Sequence, residues 1–237
     1  MGMPITVEVV AGGAKAHIAA VFAYFRAVDA KYSTYKATSE ISLINDGLPK
    51  TEWSQEMTMV LGLCQQTKRL TNGYFDIKHD GKLDPSGLVK GWAINNAASL
   101  LRDKGIQNFY IEAGGDIQVE GNTAAHQPWA VGIRNPFNTE EVIKVVGLTN
   151  QGIATSGTYI RGQHIYNPLR PGQALNSVKS LTVIGPNIYE ADRFATAAFA
   201  MGLAGIAFIE STPGLEGYMV DAHQMATYTS GFERYVV

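Results

Sequence analysis

A chain of 237 residues, 46% hydrophobic and 17% charged, has the apolar content for a sizeable core, which excludes global disorder. The formal net charge of −2, without a basic run, excludes a large nucleic-acid footprint. No apolar run reaches the ~20 residues that span a bilayer, and Cys64, the single cysteine, permits neither an intrachain disulfide nor a cysteine-rich zinc site.

Ile5 to Val10 alternates as a strand. A helix follows over about Ala14–Tyr32, where Ile18, Val21, Phe22, Phe25 and Val28 recur at helical spacing and His17 lies off the stripe, a surface residue. The stretch YSTYKATSEISLINDG, from Tyr32 to Gly47, is polar and rich in hydroxyls and reads as a loop. In it Tyr35 either packs or offers an aromatic face to a flat ligand. A second helix starts at the Ser54 cap and stops at Asn72-Gly73, with Met57, Val60, Leu61, Cys64 and Leu70 as its core positions. Cys64 in that apolar pattern reads as a small buried hydrophobe.

The motif DPSGLVKGWA, Asp84–Ala93, opens a third helix, with Asp84 as its cap and Pro85 in its first turn. Ile111-Glu112-Ala113 and Ile117-Gln118-Val119 flank the turn Gly114-Gly115-Asp116, which is either a plain tight hairpin or a place where a ligand meets the backbone. Trp129–Arg134 reads as a strand, as do Lys144–Leu148, Gly152–Thr155, His164–Tyr166 and Leu181–Ile184. A helix from about Glu190 to Gly202 buries Phe194, Ala197, Ala198 and Met201, and strands near Met219 and Tyr228 close the chain. Helices and strands alternate only in part, and short turns join several strands. That pattern favours a mixed-sheet α+β fold over a doubly wound one.

Three places carry chemistry. A helix start offers free N–H groups and partial positive charge to a phosphate, and Lys90 in the first turns adds an ammonium; an ordinary capped helix fits the same residues. Asp192 and Thr196, four apart, share one helix face. Their hard oxygens suit Mg²⁺, and a polar helix edge fits them equally. His164, at a Pro/Gly turn, is a proton acceptor or a structural histidine. His79, His126 and His223 have no partner at ligand spacing and read as surface residues. No G-x-x-x-x-G-K followed by Ser or Thr, no strand-linked G-x-G-x-x-G, no H-E-x-x-H and no G-x-S-x-G occurs, which disfavours P-loop, Rossmann, zincin and α/β-hydrolase enzymes.

In order along the chain, MGM with ITVEV, YSTYKATSEISLIN, GYFD, LDPSGLVKGWA, AGGDIQVEG, W-V-I-R-NP, IATSGTY, HIYNP and ADRFATAAFAMG resemble the FAD:protein FMN transferase family, also called the ApbE family. The resemblance covers nearly the whole chain. It implies an α+β, T-fold-like architecture over residues 1–237, as one domain or as two lobes with the flavin site between them. It also implies an enzyme that binds FAD and Mg²⁺ and transfers FMN to a threonine or serine hydroxyl of a target flavoprotein, releasing AMP. Asp84 would contact the flavin part of FAD and Lys90 would contact FAD. The Gly87 backbone oxygen, Asp192 and Thr196 would hold Mg²⁺. Met1, Tyr35, Asp76 and Ile165 match positions that line the FAD site. His164 or Asp192 would accept the proton, with His164 the better base. Hydrolysis of FAD to FMN and AMP, or non-catalytic flavin binding by an accessory module, would use the same site.

The chain departs from the family pattern in three ways. Only IKHDGK, Ile77–Lys82, stands where members carry a longer segment. The usual HI-x-D-P is His164-Ile165-Tyr166-Asn167-Pro168, and Gly87 replaces an alanine or threonine. Members are often exported and lipid-anchored. This chain shows no such signal, so it is expected to be cytoplasmic, or periplasmic if an export signal precedes it in the natural protein.

Overall fold

The computed structural model describes residues 2–10, 14–158 and 165–237. In chain order the elements are β1 (Ile5–Val9), α1 (Lys15–Tyr32), α2 (Glu40–Asn45), α3 (Gln55–Leu70), β2 (Lys78–His79), β3 (Lys82–Leu83), α4 (Ser86–Arg102), β4 (Phe109–Ala113) and β5 (Asp116–Glu120). They continue as β6 (Trp129–Asn135), β7 (Asn138–Leu148), β8 (Gly152–Gly157), β9 (Val178–Gly185), α5 (Ile188–Ala200), α6 (Gly205–Glu210), β10 (Glu216–Asp221) and β11 (Ala226–Tyr228).

Seven strands form one sheet in the order β1-β4-β5-β8-β9-β10-β11, and every pairing in it is antiparallel. The period of two along each strand sends alternate side chains to opposite faces. In β4 and β9, Phe109, Ile111, Leu181 and Val183 face a helical layer containing Val21, Leu88, Trp92, Ala197 and Phe199. On the other face Ile117, Val119, Ile184 and Tyr218 pack under the β6–β7 hairpin through Val131, Ile133 and Leu148. The sheet is therefore covered on both sides. This is the expected α+β class, with antiparallel pairing throughout the described sheets.

α4 has Leu88, Val89, Trp92, Ala93, Ile94, Ala97, Ala98 and Leu101 all buried, so its inward surface is apolar on more than one side. It packs on α5, a helix capped by the Asn187 side chain, which accepts from the Glu190 N–H at 2.9 Å. Gly91 permits the contact: a Cβ there would lie 2.6 Å from Asp192 Cβ and 2.8 Å from the Ile188 carbonyl oxygen. The β4–β5 turn uses Gly114 and Gly115 at φ 61° and 92°, the positive pair that a two-residue hairpin favours.

Several expectations change. The hydroxyl-rich stretch after α1 contains α2, capped by Ser39 and buried through Ile41 and Ile44. Leu70, read as core, is exposed at the end of α3, and Met201 is only partly buried. Ile165 and Tyr166 lie in no strand, and His164 falls outside the described residues. Cys64 is buried as expected, and burial pushes its thiol up to about 12. No described helix is long and apolar enough to cross a membrane.

Candidate functional site

A cleft of about 810 Å³ opens where the start of α4, the side of α5, the Gly114 turn and the end of β8 meet. Its other wall is the β2–β3 hairpin with Thr34, Tyr35, Ile165 and Tyr166. The motifs at Asp84–Lys90 and Asp192–Thr196 therefore come together, although about a hundred residues separate them.

Asp84 sits just before α4, but its role differs from a simple cap. Pro85 occupies the cap position, and the Asp84 Oδ1 accepts from the Ser86 N–H at 3.0 Å, closing a local turn. Two residues into the helix, the Gly87 carbonyl oxygen accepts from the Thr196 hydroxyl at 3.5 Å, at the long limit of hydrogen bonding. One turn further, the Gly91 N–H donates to Asp192 Oδ2 at 2.7 Å. A carboxylate, a hydroxyl and a carbonyl thus converge from two packed helices. They are hard oxygen donors of the kind a small divalent cation takes, completed by water and phosphate oxygens. No cluster of three or more His, Cys, Asp or Glu suited to a metal occurs among the described residues. Any cation here would rest on this mixed set.

Lys90 links the two helices to the sheet. Its Nζ lies 2.6 Å from Asp116 Oδ2 and 3.5 Å from Asp192 Oδ1. Asp116 begins β5 and is 1% exposed, with its Oδ1 accepting from the Thr155 N–H at 3.2 Å. Asp192 is 2% exposed. Burial raises its carboxyl above the usual carboxylate range and Asp116 adds to that, while the Lys90 ammonium and the Gly91 N–H pull the other way.

The short segment Ile77–Lys82 supplies most of the β2–β3 hairpin, turning at Asp80 and Gly81 with φ 49° and 78°. Asn45 pins its outer strand twice: its Nδ2 donates to the Leu83 carbonyl at 2.9 Å and its Oδ1 accepts from the Leu83 N–H at 2.7 Å. The Tyr166 hydroxyl donates to the Asp76 carbonyl at 2.7 Å, and its ring lies 4.2 Å from that of His79, centre to centre. Burial, with Asp76, Asp84 and Asp80 nearby, pushes the Tyr166 phenol up to about 12. The Asp76 side chain is engaged by Lys68 at 2.5 Å.

Tyr35, Asp76, Asp84, Gly87, Lys90, Ile165, Asp192 and Thr196 all line this one cleft. Tyr35 does so from the rim, 98% exposed. Met1 and His164 lie outside the described residues. Sequence reading missed the Asp116 side chain, since its Gly-Gly-Asp turn signalled a tight hairpin or a ligand at the backbone, and it missed Tyr166. His79 is exposed, as expected of a surface residue, yet it also forms part of the cleft wall.

The geometry defines an α+β protein whose cleft joins an acid–lysine cluster to a set of hard oxygens between two helices. A sequence model of the ApbE family matches residues 1–81 and 78–219, and the chain belongs to that family. Its fold is similar to that of the flavin transferase ApbE from Vibrio cholerae, with TM-score 0.85 at 22% identity, covering 99% of this chain and 96% of that one. The ApbE protein of Thermotoga maritima also gives TM-score 0.85 at 22% identity, over 98% and 95% of the two chains. Among curated relatives, the FAD:protein FMN transferase of Haemophilus influenzae is 32% identical over 130 residues, 51% of this chain and 38% of that protein. The Salmonella typhimurium protein of the same name is 29% identical over 147 residues, 58% of this chain and 42% of that one. The chain thus spans about two-fifths of the length of the curated relatives it matches.

Proposed function

We propose that residues 1–237 act as one transferase domain that moves FMN from FAD onto a threonine or serine hydroxyl of a target flavoprotein and releases AMP. The observation that carries this reading is the convergence of Gly87, Lys90, Asp192 and Thr196 on one cleft, in a chain of the ApbE family. A volume of about 810 Å³ lies high in the ~300–1,000 Å³ range of ligand pockets, as a dinucleotide requires.

Asp192, Thr196 and the Gly87 carbonyl would hold Mg²⁺, which supplies charge neutralisation to the pyrophosphate when bound. The Lys90 ammonium adds positive charge beside the same phosphates. Asp84 and Asp76 face the part of the cleft walled by the β2–β3 hairpin, where an oxygen acceptor can take the single ring N–H of the oxidised flavin. Tyr35, Ile165 and Met1 complete the flavin-binding surface. The acceptor hydroxyl oxygen forms the new P–O bond to the FMN phosphorus, the anhydride P–O bond to AMP breaks, and AMP leaves carrying that oxygen. His164 takes the hydroxyl proton as base. Asp192 is already engaged by Gly91 and Lys90 and is the poorer proton acceptor.

The test is to incubate the chain with FAD, Mg²⁺ and a flavoprotein fragment bearing an acceptor threonine, then measure intact mass. A covalent gain equal to FMN supports the reading. Free FMN without a mass gain would make the protein a FAD pyrophosphatase, and unchanged FAD a flavin-binding accessory. Full activity in Asp192→Ala would remove the metal assignment, and unchanged single-turnover transfer in His164→Ala would remove the base.

A further inference from the structure

We propose that Asp116 is a positioning residue that draws Lys90 off Asp192 and so leaves the Asp192 carboxylate open to a divalent cation. The inference rests on reading the cleft as a cation-assisted flavin site.

Lys90, Asp116 and Asp192 come from three different elements, α4, β5 and α5, and both carboxylates are buried. One oxygen of each is held by a backbone donor: Asp116 Oδ1 by the Thr155 N–H and Asp192 Oδ2 by the Gly91 N–H. The other oxygens, Asp116 Oδ2 and Asp192 Oδ1, both face the Lys90 ammonium, at 2.6 Å and 3.5 Å. The ammonium is seated on Asp116 and only leans towards Asp192.

Burying an ammonium without a close counter-charge is costly. If Asp116 lost its charge, Lys90 would settle on Asp192, the other carboxylate beside it among the described residues. A cation would then have to displace a formed ion pair whose net charge is zero. With the ammonium seated on Asp116 Oδ2 at 2.6 Å, Asp192 Oδ1 lies 3.5 Å from it, and a divalent cation meets the weaker competitor there. Once bound, that cation adds its positive charge to that of the ammonium, facing a pyrophosphate. Asp116 takes no part as a cation ligand in this scheme. It acts through Lys90.

The test uses Mn²⁺ as the probe, with binding to the full chain measured by calorimetry in the absence of FAD, so the readout does not depend on transfer. Asp116→Asn, which keeps the side-chain shape, should weaken Mn²⁺ binding about tenfold or more, as expected for an ammonium within ~4 Å of the binding carboxylate. Lys90→Gln removes the competitor, so adding Asp116→Asn to it should change Mn²⁺ affinity less than about threefold. Thermal unfolding of all the variants checks that each is folded. Equal weakening by Asp116→Asn in both backgrounds, or no weakening in either, overturns the proposal and leaves the transferase reading intact. Absence of saturable Mn²⁺ binding by the parent chain overturns the proposal and the cation assignment together. FMN transfer that is indifferent to Mg²⁺ would overturn the cation assignment by a separate route.

Discussion

The contact between α4 and α5 makes a sharp prediction, because one glycine decides it. In Gly91→Ala the new methyl would sit 2.6 Å from Asp192 Cβ and 3.0 Å from Asp192 Oδ2, against an ordinary contact of 3.4 Å or more. The helices must therefore part by roughly 0.8 Å at this point. Overpacking of this kind costs about 1–3 kcal/mol. Weakening the 2.7 Å bond from the Gly91 N–H to the buried carboxylate adds up to about 1.5–3 kcal/mol. Alanine's better helix propensity returns about 0.8–1 kcal/mol. The net expectation is a destabilisation of about 1.5–5 kcal/mol, a large share of the ~5–15 kcal/mol typical of a domain. Gly62→Ala is the internal control: it lies in α3 with nothing within 4 Å of its Cβ site, so the same substitution should stabilise by up to about 1 kcal/mol. Urea unfolding of the two variants and the parent measures both signs. If Gly91→Ala proved as stable as Gly62→Ala, the close approach of α4 and α5 would be wrong, and with it the placement of Asp192.

Three further outcomes are expected. Tyr166→Phe removes the hydroxyl that ties the hairpin wall to Asp76 and should lower stability by about 1 kcal/mol; a change below about 0.3 kcal/mol in urea unfolding would show that the wall stands without it. The raised carboxyl of Asp192 keeps its proton in the folded chain at pH values where the unfolded chain has released it. Its contribution to stability is therefore full below the ordinary carboxylate range and is lost as pH rises through the raised value. In chelator, Asp192→Asn should lose less stability than the parent between about pH 5 and about pH 8, and an identical loss in both would contradict the burial argument. Cys64, buried with its thiol near 12, should resist a thiol reagent in the native protein and react at once in denaturant; prompt native labelling would place it nearer the surface.

Much of the fold was legible because long amphipathic elements carry strong periodic signals. α1, α3 and α5 all lie within a few residues of where Val21 and Phe25, Met57 and Cys64, and Phe194 and Ala198 place them. The short elements were not. In α2 only Ile41 and Ile44 repeat, and the surrounding hydroxyls look like loop, yet Ser39 caps it and its side chain accepts from Ser42. The Asp80-Gly81 turn is a hairpin signal, but two-residue strands leave no alternation to read. At the site, Asp84, Lys90, Asp192 and Thr196 were visible because each lies in a patterned segment, whereas Gly87 stood out only through the family resemblance. Asp116 was not, since its significance depends on Lys90 and Thr155, which the sheet brings to it from elsewhere in the chain. Tyr166 escaped for the same reason: its partner is the backbone of Asp76, ninety positions away.

The bond from Gly91 to Asp192 spans 101 positions of sequence. Closing a loop that long is entropically slow to repay, so contacts of this kind form late in folding. α4 can coil as soon as it leaves the ribosome, and the β4–β5 hairpin can pair soon after, but half of the cleft arrives only with α5. A chain interrupted before Ile188 would keep Asp84, Gly87 and Lys90 while lacking Asp192 and Thr196. The cleft would then hold Lys90 paired with Asp116 alone, unable to engage a cation through α5. The two halves of the site thus meet only once α5 has joined the helical layer.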